Sequence, residues 1–270
     1  MIKTPSTTMI GGAGMWTPGC TVIGGQQTIT QLIKSLFADG TQGLYLNAQD
    51  AASISDLSSI KDLSGRNNHA AQANSTSRAT IVTDPSGYKS LKFDGIDDGY
   101  VTPSINFSNT DKVTVIAAVR KLSDAAQGVI AELSSNSAVS VGSFKLSASY
   151  SNATSFGGTL GGATARNFFA AGYPAPTSAV LTTKFNISTA IIAEAAKLRI
   201  NASDVIPSGD GAWNKTTSFG SYPLYIGRRG GTSLPFNGQI YALLVIGKIL
   251  DDVTTQRIEK EFSKYVGVTL

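Results

Sequence analysis

The feature that most constrains this chain is a repeated pattern of short apolar and β-branched runs, each cut off by Gly, Ser, Asn or Pro. The longest is VTVIAAVR at 113–120, the kind of run a central sandwich strand shows. Around it lie GLYL at 43–46, LKF at 91–93, YVT at 100–102, GVIAEL at 128–133 and SFKLSASY at 143–150. AVLTTKFNI at 179–187, KLRINA at 197–202, PLYIGRR at 223–229 and GQIYALLVIGK at 238–248 follow. Turn-forming clusters such as SFGGTLGGAT at 155–164 separate them, and no helical period alternates with them. That order predicts an all-β fold, an antiparallel two-sheet jelly-roll sandwich, rather than a parallel βαβ sheet.

Two segments break the pattern. In TITQLIKSLFAD at 28–39, Ile29, Leu32, Ile33, Leu36 and Phe37 follow helical spacing, with Thr28 as N-cap and Gly40 as the stop. A second helix starts at Asp251 or Asp252 and runs to about Val266, with Val253, Ile258, Phe262, Tyr265 and Val266 on its apolar face. Residues 1–27 show neither period and read as an extended arm. Met9, Ile10, Met15 and Trp16 make that arm more apolar than a free linker requires, so it either docks on another subunit or trails as a tail. The expected division is an attachment or oligomerisation segment at 1–40 and a sandwich at 41–270.

Composition excludes several classes. Charged residues make up only 15% and glycines number 28, which suits many short strands and turns and argues against disorder or a coiled coil. The net charge is +4, but Lys61 with Arg66, and Arg228 with Arg229, are the densest basic groups, so no nucleic-acid partner is expected. One cysteine, Cys20, and one histidine, His69, leave no intrachain disulfide and no site needing two imidazoles. The N-terminal stretch has no apolar h-region, and no window reaches the ~18 apolar residues of a membrane span. Synthesis and folding in a reducing cytoplasm are expected.

Asp62-Leu-Ser-Gly-Arg-Asn-Asn-His69, then LKFDGIDDGYV at 91–101, then VTVIAAVR, then Phe236-Asn-Gly-Gln-Ile240 and the final helix form an ordered series. In that order the series resembles the concanavalin A-like sandwich domains, in the laminin G-like and pentraxin-like branch found in bacterial and phage proteins. The resemblance spans roughly residues 43–267. Two departures are the inserted Gly99 and the absence of Trp from VIAAVR. The lead-in GLYLNAQDAASI looks like that of phage virion proteins carrying such a domain, whose N-terminal segment attaches to the particle.

The resemblance implies a non-enzymatic virion component in a tail, baseplate or fibre, located in the virion after synthesis in the host cytoplasm. Its partners would be other virion proteins and a host surface glycan, and it would be a homo-oligomer, as a trimer for instance. A capsid decoration or head fibre is one alternative, a free carbohydrate-binding lectin another. A glycosidase needs paired carboxylates about 5–5.5 Å apart for retaining chemistry. Here Glu132 and Glu194 stand alone, and Glu259 and Glu261 share the last helix on different faces. Nucleophile-elbow, Walker and dinucleotide motifs are absent as well.

Two candidate sites remain. Asp94, Asp97 and Asp98 in FDGIDDG could offer oxygen ligands to calcium, or could simply build a tight turn, the reading the resemblance supports. No other cofactor is expected. Phe168, Phe169, Tyr173, Trp213 and Tyr222 are read as loop aromatics that either contact a sugar or cover the sandwich edge.

Overall fold

The computed structural model describes residues 27–270 apart from 152, 210 and 211. The expected arm residues Met9, Ile10, Met15 and Trp16 lie outside the described residues. In chain order the elements are α1 (Ile29–Leu36), β1 (Gly43–Asn47), β2 (Ser59–Ile60), β3 (Ala70–Ala71), β4 (Thr80–Thr83), β5 (Lys89–Asp94), β6 (Tyr100–Asn106), β7 (Lys112–Lys121) and β8 (Val129–Leu133). Then come β9 (Ser143–Ala148), β10 (Ser155–Gly161), β11 (Ala165–Ala171), β12 (Thr177–Asn186), α2 (Ile192–Ala195), β13 (Ala196–Ile200), β14 (Ser203–Val205), β15 (Ser221–Ile226), β16 (Asn237–Ile246) and α3 (Asp252–Val266).

Every strand pairing is antiparallel, and the strands form two eight-stranded sheets, as the run pattern predicts. The first sheet runs β14-β13-β12-β7-β16-β5-β4, with β1 also on β16. The second runs β11-β10-β9-β8-β15-β6-β3-β2. Between them lies one apolar core, to which Val113, Val115, Ala117, Leu243 and Val245 face from one sheet and Phe144, Leu146, Ile130, Leu224 and Ile226 from the other.

The run VTVIAAVR does not alternate because β7 is covered on both faces. Its intervening residues Ile116 and Ala118 join Tyr45, Val180, Leu244 and Ile246 in a second apolar layer against Ile33 of α1, Phe37 just after it, and Ile258, Phe262 and Val266 of α3. A register shift between Ile240 and Ala242 in β16 is what turns Tyr241 and Ala242 together toward the helices. The molecule is therefore three layers: helices, first sheet, second sheet.

Local chemistry explains both helices. Thr28 and Gln31 form a reciprocal capping box, though α1 stops at Leu36, three residues short of the expected Asp39. Asp251 caps α3 by accepting from Thr254 N, and Gly267, at φ +67°, closes it in the left-handed region. The motif at 62–69 is a clasp. The Asp62 carboxylate accepts from the backbone N–H groups of Tyr45, Ser64 and Asn68 and from the Ser64 hydroxyl. Asn68 donates to Gly43 O, and the His69 ring accepts from Asp62 N, so the histidine is a satisfied packing residue.

One stretch departs from expectation. SFGGTLGGAT, expected as a turn cluster, contains β10, and β11 carries Phe168 and Phe169, both expected in a loop. The β10 glycines serve close strand approach: a Cβ on Gly158 would lie 1.9 Å from Lys145 O, and one on Gly157 2.3 Å from Phe168 O.

Candidate functional site

The outer face of the second sheet, which no helix covers among the described residues, carries the candidate site. Alternation fixes which side chains stand there. In β8, β9, β11 and β15 the core takes Ala131 and Leu133, Phe144 and Leu146, Phe168, and Leu224 and Ile226. Glu132, Lys145, Asn167, Phe169 and Tyr225 therefore stand on the opposite face. The register puts Val101, Tyr225, Glu132, Lys145, Thr159 and Asn167 in one continuous rung across six strands. At the usual strand spacing the rung is about 24 Å wide.

At the centre of the rung Glu132 is fully buried. Its Oε1 accepts from Ser137 N at 2.8 Å and from the Ser137 hydroxyl at 2.6 Å. Arg229 Nε donates to both carboxylate oxygens, at 3.2 and 3.0 Å. Arg229 is held in place by a tight turn in which its N–H donates to Ser233 O and Gly230 and Gly231 take positive φ. Its Nη2 is buried and has no partner among the described residues.

Lys145, next on the rung, is 4% exposed, and its ammonium makes no hydrogen bond among the described residues. Instead it lies 5.6 Å from the centroid of the Tyr150 ring. Burial, together with the Arg229 charge, pushes its pKa down to about 8, against the raising effect of Glu132. Tyr150 in turn stacks on Phe169, with ring centroids 5.5 Å apart and 6° between planes. Thr159 donates to the Asn167 side-chain carbonyl at 2.9 Å. The face thus combines half-buried aromatic rings (Tyr150, Phe169, Tyr225), an amide and a charged floor. Rings and directed polar groups are what a small polar ligand needs.

Of the five aromatics expected to bind, only Phe169 belongs to this face. Phe168 is not a loop residue: it points into the core, 2% exposed, against Phe185 at 5.8 Å. Tyr173 packs beside Phe156 at 5.4 Å, the Trp213 indole donates to Thr189 O at 3.0 Å, and the Tyr222 hydroxyl donates to Val141 O at 2.9 Å. All three lie against the core, and nothing draws them together. Lys145, Glu132, Tyr150, Tyr225 and Arg229 were not singled out for binding from sequence. A lone charge inside VIAEL and inside SFKLSA was the available signal.

Asp94, Asp97 and Asp98 do offer carboxylate oxygens within 4.8 Å of one another. The bonds they make are those of a turn. Asp94 Oδ1 accepts from Ile96 N and Asp97 N, Asp98 Oδ2 from Asp94 N, and Asp97 Oδ2 from the Ser77 hydroxyl. Burial, and then the two neighbouring carboxylates, raise the Asp98 pKa. The donor set suits a hard cation in kind, yet hairpin construction already explains each contact.

A cleft of about 1000 Å3 opens elsewhere, where β13 and β14 meet the start of α3, lined by Phe168, Leu198, Ile206 and Leu250. Of its basic side chains, Lys184 is paired with Asp252, Lys197 with Glu194, and Arg199 with Asp204 and Glu259. Among the described residues no helix is long and apolar enough to cross a membrane.

No family model matches the chain, and no curated protein matches it. Solved structures do match at the level of fold. One is botulinum neurotoxin type C, whose way into cells depends on interaction with two ganglioside molecules (14% identity, TM-score 0.53, 86% of this chain and 53% of that one). Another is the Trypanosoma rangeli sialidase in complex with sialic acid (16%, TM-score 0.55, 86% and 34%). A third is the binding domain of botulinum neurotoxin DC in complex with rat synaptotagmin II (13%, TM-score 0.52, 84% and 52%). The chain spans about a third to a half of the structures it matches. What these likenesses establish is the fold, an antiparallel β-sandwich.

Proposed function

We propose that the chain is a binding module that holds a glycan on the outer face of its second sheet. The observation that carries this is the stacked Tyr150–Phe169 pair set beside the rung of Tyr225, Glu132, Lys145, Thr159 and Asn167. Aromatic faces present flat apolar area to a sugar ring while amide and hydroxyl groups take its hydroxyls. The ganglioside-dependent toxin and the sialic acid-bound sialidase, neighbours of the same fold, lend support. A protein ligand, as in the synaptotagmin complex, is the competing occupant.

The module is non-enzymatic in this reading. Glu132 is the one carboxylate on the eight strands of the second sheet, and its oxygens are engaged by Ser137 and Arg229. Two-carboxylate glycoside hydrolysis has no second group there.

The setting proposed is a phage virion, in tail, baseplate or fibre, with the chain as a homo-oligomer joined to the particle by its N-terminal segment. Support comes from the ordered sequence motifs and the apolar arm. Because Ile33 and Phe37 are buried under the first sheet, the arm must be trimmed without touching α1. Deleting residues 1–26 should abolish co-sedimentation with particles and leave glycan binding intact. For the glycan itself, a saccharide array probed with the full chain and with Phe169→Ala decides. Loss of array signal in the variant, with an unchanged circular dichroism spectrum, is expected. Equal signal would remove the platform from the account.

A further inference from the structure

The floor of the platform is out of charge balance. Lys145 and Arg229 bring two cations to Glu132, and Glu132 pairs with Arg229 alone, leaving one positive charge unmatched. Lys145, which carries the unmatched ammonium, is 4% exposed as a residue, and the ammonium lies over the face of Tyr150. Arg229, near enough for its charge to lower the Lys145 pKa, holds a buried Nη2 that has no acceptor among the described residues. A largely desolvated ammonium and a buried guanidinium nitrogen without an acceptor are both unfavourable in the free protein, the first because burial weakens its hydration and the second because it does not recover the hydrogen bonds it made to water. One incoming anion would satisfy both and restore neutrality. No strand of the second sheet supplies it, since Glu132 is their one carboxylate.

Resting on the glycan-binding reading, we infer that the saccharide is acidic, and that its carboxylate or sulfate ester is received by Lys145 and by the free Nη2 of Arg229, with a ring of the same saccharide against Tyr150 and Phe169. Charge-assisted bonds of this kind are about twice as strong as neutral ones. A neutral saccharide would bring hydroxyls but leave the excess charge in place. Selectivity therefore follows from the floor and general affinity from the rings.

The groups facing the Lys145 ammonium are Glu132 of β8, Thr159 of β10, Tyr150 after β9 and Arg229 after β15. With its pKa held at about 8, Lys145 loses its charge just above neutrality, so capture of an anion should weaken as pH rises through that value.

The test uses the full chain on an array carrying neutral, carboxylated and sulfated saccharides, followed by titration of the best ligand in solution. Acidic saccharides should be enriched, and the carboxylated and sulfated arms tell the two anions apart. Lys145→Met should weaken the acidic ligand about tenfold or more, and Lys145→Arg should retain most of the affinity. Wild-type affinity should fall between about pH 7 and about pH 9.5, where the Met variant stays flat. Should Lys145→Met fail to fold, the wild-type pH profile decides, and a flat profile overturns the inference. Neutral saccharides bound as tightly as acidic ones, by both proteins, would overturn the acidic ligand and leave the glycan reading standing. No saccharide bound at all would overturn both.

Discussion

On the outer face of the first sheet, Ile116, Ala118, Val180, Leu244 and Ile246 lie under α1 and α3. On the outer face of the second, the equivalent central positions are Glu132, Lys145, Ser147 and Thr159, and turns and aromatic rings lie over them. Each outer layer holds one buried ion pair, and the pairs differ in the same way. Arg199 grips both oxygens of Glu259 with Nε and Nη2, and its remaining donors go to Asp204 and Ala202 O. Arg229 reaches Glu132 through Nε and leaves Nη2 unused. One face is finished by the chain's own residues. The other is ordered but left with spare bonding capacity beside a surplus charge, which is the condition of a surface built to receive something.

The sharpest way to break this contrast is to damage the finished face. Phe262 is fully buried between α3 and the first sheet. Phe262→Ala should cost about 3–5 kcal/mol in denaturant unfolding through lost burial and a residual cavity. Glycan affinity measured on the folded fraction should not change. Loss of binding in step with stability would mean the two faces are not independent.

The opposite sign is expected on the other face. Because Lys145 is an unmatched buried charge in the free protein, Lys145→Met should stabilise it at pH 7, by something on the order of 2 kcal/mol. The folded pKa of about 8 lies below the ordinary 10.5, so between those values the unfolded chain binds more protons than the native one. Wild-type stability should therefore rise with pH across that window, and the advantage of the Met variant should shrink with it. Tyr241 and Tyr265, whose burial raises their pKa, act the other way above about pH 10, but equally in both proteins. A Met variant less stable than wild type at pH 7 would show that the ammonium is better satisfied than its contacts indicate.

How far the sequence revealed this division depends on the range of the interactions. The start of α3 was legible to within one residue, Asp251 or Asp252, and its end near Val266, because the groups that fix them, Asp251, Thr254 and Gly267, act within one or two turns. β7 was legible as an apolar run, but its coverage on two faces was not, because the helices over it come from opposite ends of the chain. β10 and β11 hid behind their glycines, which signal a turn locally and close strand contact only once the neighbours are known. Phe169 was visible as an aromatic. That it stacks on Tyr150, above a lysine that lies opposite Glu132 on the neighbouring strand, follows from register, which composition does not carry. On the binding side the consequence is measurable: Phe169→Ala should reduce saccharide affinity about tenfold, a loss of roughly 1.4 kcal/mol, with little change in stability because the ring is only half-buried.

The smallest effect refines the finished face. The Asp251 carboxylate accepts from the N–H and hydroxyl of Thr254, and those bonds hold its pKa below the usual carboxylate range. It contributes a cap and, as an anion at the positive end of α3, a favourable interaction with the helix dipole. Asn caps as well as Asp but carries no charge. Asp251→Asn should therefore lose only the charge contribution, about 0.3–1 kcal/mol at low salt, and that loss should fade as salt is added. Since the folded pKa is depressed, the charge contribution is complete above the ordinary carboxylate value and vanishes as pH falls through the folded one. Wild type and Asp251→Asn should accordingly converge in acid. Saccharide affinity should be the same in both proteins, because the cap lies on the layer the chain completes for itself; a change in affinity would tie α3 to the open face across the full thickness of the sandwich.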